Sequence, residues 1–180
     1  GERKDFPDAL RVLNADDVNA VAVPGGFIYV YKGLTDLMKT DDELAGVIGH
    51  ELGHIVERHS VHQMEKTLGM TLLLGGLFKD NSVVLQSLAL NVIMAGYSRS
   101  DEKEADHLGF VHSTKAGYNP YGMLIGLMKL SSLNPDQKNS WFSTHPEGKT
   151  RIELAKKDLT AAGIKPTVNQ TATEIKVVDG

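Results

Sequence analysis

The sequence predicts an α+β domain, mostly helical, with a small β-sheet near its N-terminal end. Three observations carry this. Residues Ala9 to Tyr31 are rich in β-branched and aromatic residues with a period near two. After Tyr31 the apolar period lengthens to that of a helix and stays there. No internal repeat, low-complexity linker or second apolar block divides the 180 residues, so a single domain over 1–180 is expected, with a core over about 8–163 and a polar tail over 164–180.

Taken in order, Leu10 and Val12, then Val18 to Val23, then Phe27 to Tyr31 after the Pro24-Gly25-Gly26 turn signal, read as two or three short strands. Thr40 followed by Glu43 forms a capping-box pattern. Leu44, Val47, Ile48, Leu52, Ile55 and Val56 then recur at helical spacing, giving an amphipathic helix over about 41–59. Further helices are expected over about 61–77, 82–96, 99–116, 121–132 and 147–162. They are divided by Lys79-Asp80-Asn81-Ser82, Gly117-Tyr118-Asn119-Pro120, Asn134-Pro135 and Gly163, and a last strand is expected at Ile175 to Val178.

Composition removes whole classes of function. The formal charge is −4, with Lys and Arg scattered among Asp and Glu, so no basic stripe is available to neutralise phosphates and nucleic acid is excluded as a partner. Cysteine is absent, so any metal must be held by His and carboxylates. The longest apolar run, Leu68 to Phe78, is broken by Gly69, Thr71, Gly75 and Gly76, too short and interrupted for a membrane span; it reads as a buried helix. Membrane association is expected only through an anchor outside these residues.

The strongest helix contains His50-Glu51-Leu52-Gly53-His54, the H-E-x-x-H pattern of zinc metallopeptidases. Residues i and i+4 lie one turn apart on one helix face, so two imidazoles can converge on one ion while the intervening Glu reaches a metal-bound water. A catalytic zinc takes three protein ligands and keeps one open position. The metzincin extension is not the source of the third, because Glu57 stands where its Gly belongs and Ser60 where its third His belongs. A carboxylate from a separate helix is the alternative. In Ser98 to Asp106, Glu102 and Asp106 are i and i+4, so one could ligate while the other takes the N–H of a ligand His.

These motifs in this order resemble the HtpX/CAAX-prenyl-protease family of zinc metallopeptidases: Asn19-Ala20 and Pro24-Gly25-Gly26 before a strand, H-E-x-x-H, S-R-x-x-E-x-x-A-D, then His145-Pro146 and Arg151. Within it the chain is most similar to the branch holding BepA-type periplasmic and Oma-type mitochondrial peptidases, over about residues 14–155. The resemblance implies Glu102 as the third zinc ligand, Asp106 as its neighbour bonded to a ligand His, His145 near the metal and, more weakly, Arg151. Glu104 sits about 200° around the helix from Glu102 and is read as solvated.

The expected activity is therefore zinc-dependent endopeptidase hydrolysis of unfolded or misassembled polypeptides, with one zinc per chain and Glu51 as general base. His145 either stabilises the oxyanion, the preferred reading, or acts as a fourth ligand that keeps a resting site shut. The strand Phe27, Ile28, Tyr29 and Val30 is expected to be the sheet edge that takes an extended substrate. His59, His62, His107 and His112 are read as surface or helix-end residues, the methionines at helical spacing as core, and Trp141 and Phe142 as core or pocket wall. The rival reading is a zinc-containing chaperone or assembly factor that binds unfolded chains without cutting; Glu51 argues against it, since neither a structural zinc site nor a peptide groove needs a general base. The resemblance implies a bacterial periplasm or cell envelope as the setting.

Overall fold

The computed structural model describes residues 9–73, 87, 91, 95–146, 149–166, 168–170 and 175–177. Three strands open the fold: β1 (Ala9–Leu13), β2 (Ala20–Val23) and β3 (Phe27–Tyr31). They are followed by α1 (Lys32–Leu37), α2 (Asp41–Val56), α3 (His59–Leu73), α4 (Arg99–Lys115), α5 (Gly122–Ser131), α6 (Pro135–Thr144) and α7 (Lys149–Ala161), then by a strand pair, β4 (Val168–Gln170) and β5 (Ile175–Val177). The mostly helical fold with a small N-terminal sheet is the one expected. The helix expected over 82–96 and the glycine-rich end of the 68–78 run fall largely outside the described residues.

One expectation about the sheet is overturned. Its order is β1-β3-β2, with β1 parallel and β2 antiparallel to β3. Phe27 to Val30 therefore lie in the central strand, paired on both sides, and cannot receive a substrate strand. The richest β-branched and aromatic run takes the centre, where both edges find partners. The short, small-residue strand Ala20-Val21-Ala22-Val23 is left at one edge and β1 at the other. α6 was also not anticipated: Pro-Asp-Gln-Lys-Asn-Ser has no apolar period, and the Asn134-Pro135 signal that read as a break is instead Pro at a helix start.

The core lies on both sides of α2. Val18, Ala20, Ala22, Ile28, Val30, Leu34, Val47, Ile55 and Trp141 pack between sheet and helices, while Phe110, Met123, Leu124, Leu127, Ala155 and Leu159 close the far side. Thr40 caps α2 by accepting the Glu43 N–H, but the Glu43 carboxylate accepts from Lys39 N–H and Lys129 Nζ instead of completing the box. The full capping box belongs to α4, between Ser98 and Asp101. α2 and α4 cross in close contact because small residues face each other. A Cβ on Gly49 would come within 2.9 Å of Gly109 O, and one on Gly109 within 2.9 Å of His50 N. This crossing sets two halves of one site side by side.

Candidate metal centre

His50, Glu51 and His54 project from α2, and Glu102 and Asp106 from α4; all five are buried. His145 follows α6, held by its own N–H to Trp141 O and by its ring stacked on Trp141 at 4.3 Å. His50, His54, Glu102 and His145 each offer a donor atom within one small cluster. His50 Nε2 lies 3.1 Å from His54 Nε2 and 3.3 Å from His145 Nδ1. Glu102 Oε1 lies 3.4 Å from His54 Nε2 and 3.1 Å from His145 Nδ1. Four ligands at about 2.0–2.1 Å around a tetrahedral zinc stand about 3.3–3.4 Å apart. The donor set fits that ion.

The partners of these atoms orient them. His50 Nδ1 lies 2.9 Å from Asp106 Oδ1, so the carboxylate sits on the side of the ring away from the Nε2 that faces the cluster. Arg151, buried on α7, donates from Nε and Nη2 to the Asp106 carboxylate at 2.7 Å each, and its Nη1 forms an ion pair with Glu102 Oε2 at 2.6 Å. One guanidinium thus aligns both carboxylates of α4. His145 Nε2–H donates to Ala20 O at 3.2 Å, leaving Nδ1 turned to the other donors. Glu51 is wholly buried, and neither of its carboxylate oxygens has a hydrogen-bond partner among the described residues; His145 Nε2 lies 3.3 Å from one of them. A buried polar pair of oxygens without a donor, next to four convergent ligands, fits a site completed by a metal ion and its water.

Electrostatics point the same way. Three buried carboxylates, Glu51, Glu102 and Asp106, face one guanidinium, so the site's charge balance favours a cation. Burial works to raise the Glu102 carboxyl, but His145 and Arg151 outweigh it and hold it well below the usual range. Asp106 behaves alike, its burial overcome by Arg151 and His50. Burial pushes His54 well below the ordinary imidazole value. On His145 burial is overcome by Glu102 and Glu51, which raise it.

Two residues at the site were not singled out as functional from the sequence. Tyr97 stacks on His54 with ring centroids 3.6 Å apart, donates to Ala22 O and accepts from Ser60. His59, read as a surface or helix-end residue, stands at the start of α3 but is buried, with Nδ1 2.9 Å from His54 Nδ1. Glu104 remains half-exposed, as expected, yet reaches His59 Nε2 at 3.3 Å. His107 is exposed, paired with Asp158. Adjacency to the motifs is the only sequence signal for Tyr97 and His59.

Compared with known families, residues 2–158 match the family model for peptidase family M48. The chain belongs to peptidase family M48. Its relatives in that family include the mitochondrial metalloendopeptidase OMA1 of Arabidopsis thaliana, 36% identical over 144 residues, 79% of this chain and 30% of that protein. The Escherichia coli metalloprotease LoiP is 32% identical over 166 residues, 88% of this chain and 66% of LoiP. The E. coli metalloprotease YcaL is 33% identical over 154 residues, 82% and 60% of the two chains. The chain thus spans between about a third and two thirds of the length of these M48 relatives. No helix among the described residues is long and apolar enough to cross a membrane.

Proposed function

We propose that this chain is a zinc-dependent metalloendopeptidase acting on unfolded or misassembled polypeptides in protein quality control, with one zinc held by His50, His54 and Glu102. The observation that carries the reading is the buried, unbonded carboxylate of Glu51 beside four convergent donor atoms. Zinc bound there would acidify a water and polarise the scissile carbonyl. Glu51 accepts the proton of the attacking water and returns it to the leaving amine. Asp106 holds His50 in the tautomer that ligates, and Arg151 holds Asp106 and Glu102.

Of the two roles left open for His145, the position of Nδ1 among the ligands supports the fourth-ligand role: His145 closes a resting site and yields its place when substrate enters. An extended substrate would run along the edge of β2 that no strand pairs, where Ala20 O and Ala22 O, bonded by His145 and Tyr97, face the site. Beside it, a recess of about 160 Å³ between the Val23–Gly26 turn and the α2–α3 corner reaches His54. A cavity of about 150 Å³ with apolar walls accepts benzene, so an apolar side chain fits here.

Four donors are also the closed set of a structural zinc, which favours the rival chaperone or assembly reading. Glu51 has no task in such a site, and the peptidase reading is preferred for that reason. We place the chain in a bacterial periplasm or cell envelope on the family resemblance, with any membrane attachment supplied from outside these residues. Metal content of the purified chain, measured with casein hydrolysis before chelation, after it and after zinc is restored, tests the proposal. Zinc near one per chain with activity that disappears and returns is expected; activity indifferent to chelation overturns it.

A further inference from the structure

We propose that His59 is a positioning residue for the ligand His54, and that Glu104 extends the same chain of hydrogen bonds. The inference rests on the zinc site proposed above. His54 presents Nε2 to the other donors, so as a ligand it carries its proton on Nδ1. The atom 2.9 Å from that nitrogen is His59 Nδ1. Two ring nitrogens at this distance share one proton, so His54 donates and His59 accepts. His59 then carries its own proton on Nε2, 3.3 Å from the Glu104 carboxylate and 3.9 Å from that of Asp101. Each tautomer follows from the one before it. His50 is held in the same way in a single step by Asp106.

The backbone is built for this contact. Five residues along a continuous helix, His59 would lie about 140° around the axis from His54 and point elsewhere. α2 instead ends at Val56, and Arg58 takes φ 57°, the left-handed region that a non-glycine residue enters at a cost. That turn folds His59 back beneath His54 as the first residue of α3, 6% exposed. On the other face Tyr97 stacks on the same ring. His54 is thus fixed in plane by stacking and in rotation by His59.

Zinc affinity measured by competition with a chromogenic chelator tests this, on wild type, His54→Ala, His59→Ala, His59→Phe, His59→Gln, Glu104→Gln and the double variant His59→Phe/Glu104→Gln. Loss of a bond to a ligand histidine's second nitrogen weakens metal binding roughly 10–100-fold, the change expected for His59→Phe, which keeps the ring volume, and for His59→Ala. His59→Gln, whose amide oxygen can accept the His54 N–H, recovers most of the loss. Glu104→Gln, at a half-exposed position that tolerates substitution, weakens binding severalfold in wild type and adds nothing in the His59→Phe background. His59→Phe binding zinc within twofold of wild type overturns the proposal, as does a Glu104→Gln effect undiminished in that background. Wild type that binds no tighter than His54→Ala overturns the zinc site itself, a distinguishable failure.

Discussion

Gly109→Ala tests whether the α2–α4 crossing sets the metal centre. The added Cβ would lie 2.9 Å from His50 N, 3.0 Å from Gly46 O and 3.2 Å from His50 Cα, all backbone atoms that cannot rotate away. Carbon contacts are at their best near 3.5–4.0 Å, so the two helices must part by roughly 0.5 Å. Overpacking of this kind costs about 1–3 kcal/mol, which for a chain of this size lowers Tm by roughly 2–12 °C. The separation falls on the axis joining His50 and His54 to Glu102 and Asp106. Metal–ligand distances tolerate only about ±0.2 Å, so zinc affinity should fall by roughly tenfold or more. Thermal melting of the metal-free variant and a zinc titration measure the two effects separately. A variant with wild-type Tm and wild-type zinc affinity would refute the reasoning, since α2 and α4 could not then be in the contact described.

Three further outcomes follow from individual side chains. Glu102→Ala should weaken zinc binding by more than the roughly 100-fold upper range of an outer-shell loss, and far more than Glu104→Ala; equilibrium titration showing the reverse order would mean the helix register is wrong. Arg151→Ala leaves two buried carboxylates uncompensated and should destabilise the metal-free chain by roughly 3–5 kcal/mol in denaturant unfolding, with Lys a poor substitute because it cannot bond both oxygens of Asp106. A loss below about 1 kcal/mol counts against the clamp. His145→Ala should bind zinc more weakly and, at saturating zinc, cleave casein at the wild-type rate or faster; a loss on the order of 10²-fold at full occupancy would restore the oxyanion role.

What the sequence made legible is what short-range geometry determines. H-E-x-x-H and E-x-x-x-D place their side chains by helical period alone, so residues 50, 51, 54, 102 and 106 could be named before any fold was known. What it hid depends on contacts far apart in the chain or on one backbone angle. The edge strand was misassigned because β-branched and aromatic richness marks the doubly paired strand, which is β3, while β2 is paired on one side only. His59 was passed over because helical periodicity continued through Arg58 would point it away, and nothing in an arginine announces a left-handed turn. Arg151 rested on family spacing; its grip on two carboxylates 45 and 49 residues earlier is visible only in three dimensions. α6 was missed because its first six residues carry no apolar period at all.

Glu51→Gln tests the central claim most directly, because it removes the base while touching no atom of the donor cluster. Zinc stoichiometry and casein hydrolysis on one preparation give the answer. The account predicts about one zinc per chain at wild-type affinity, a native fold, and hydrolysis reduced at least on the order of 10²-fold. Full zinc occupancy with hydrolysis within a few-fold of wild type would contradict it and assign the proton transfer to another group.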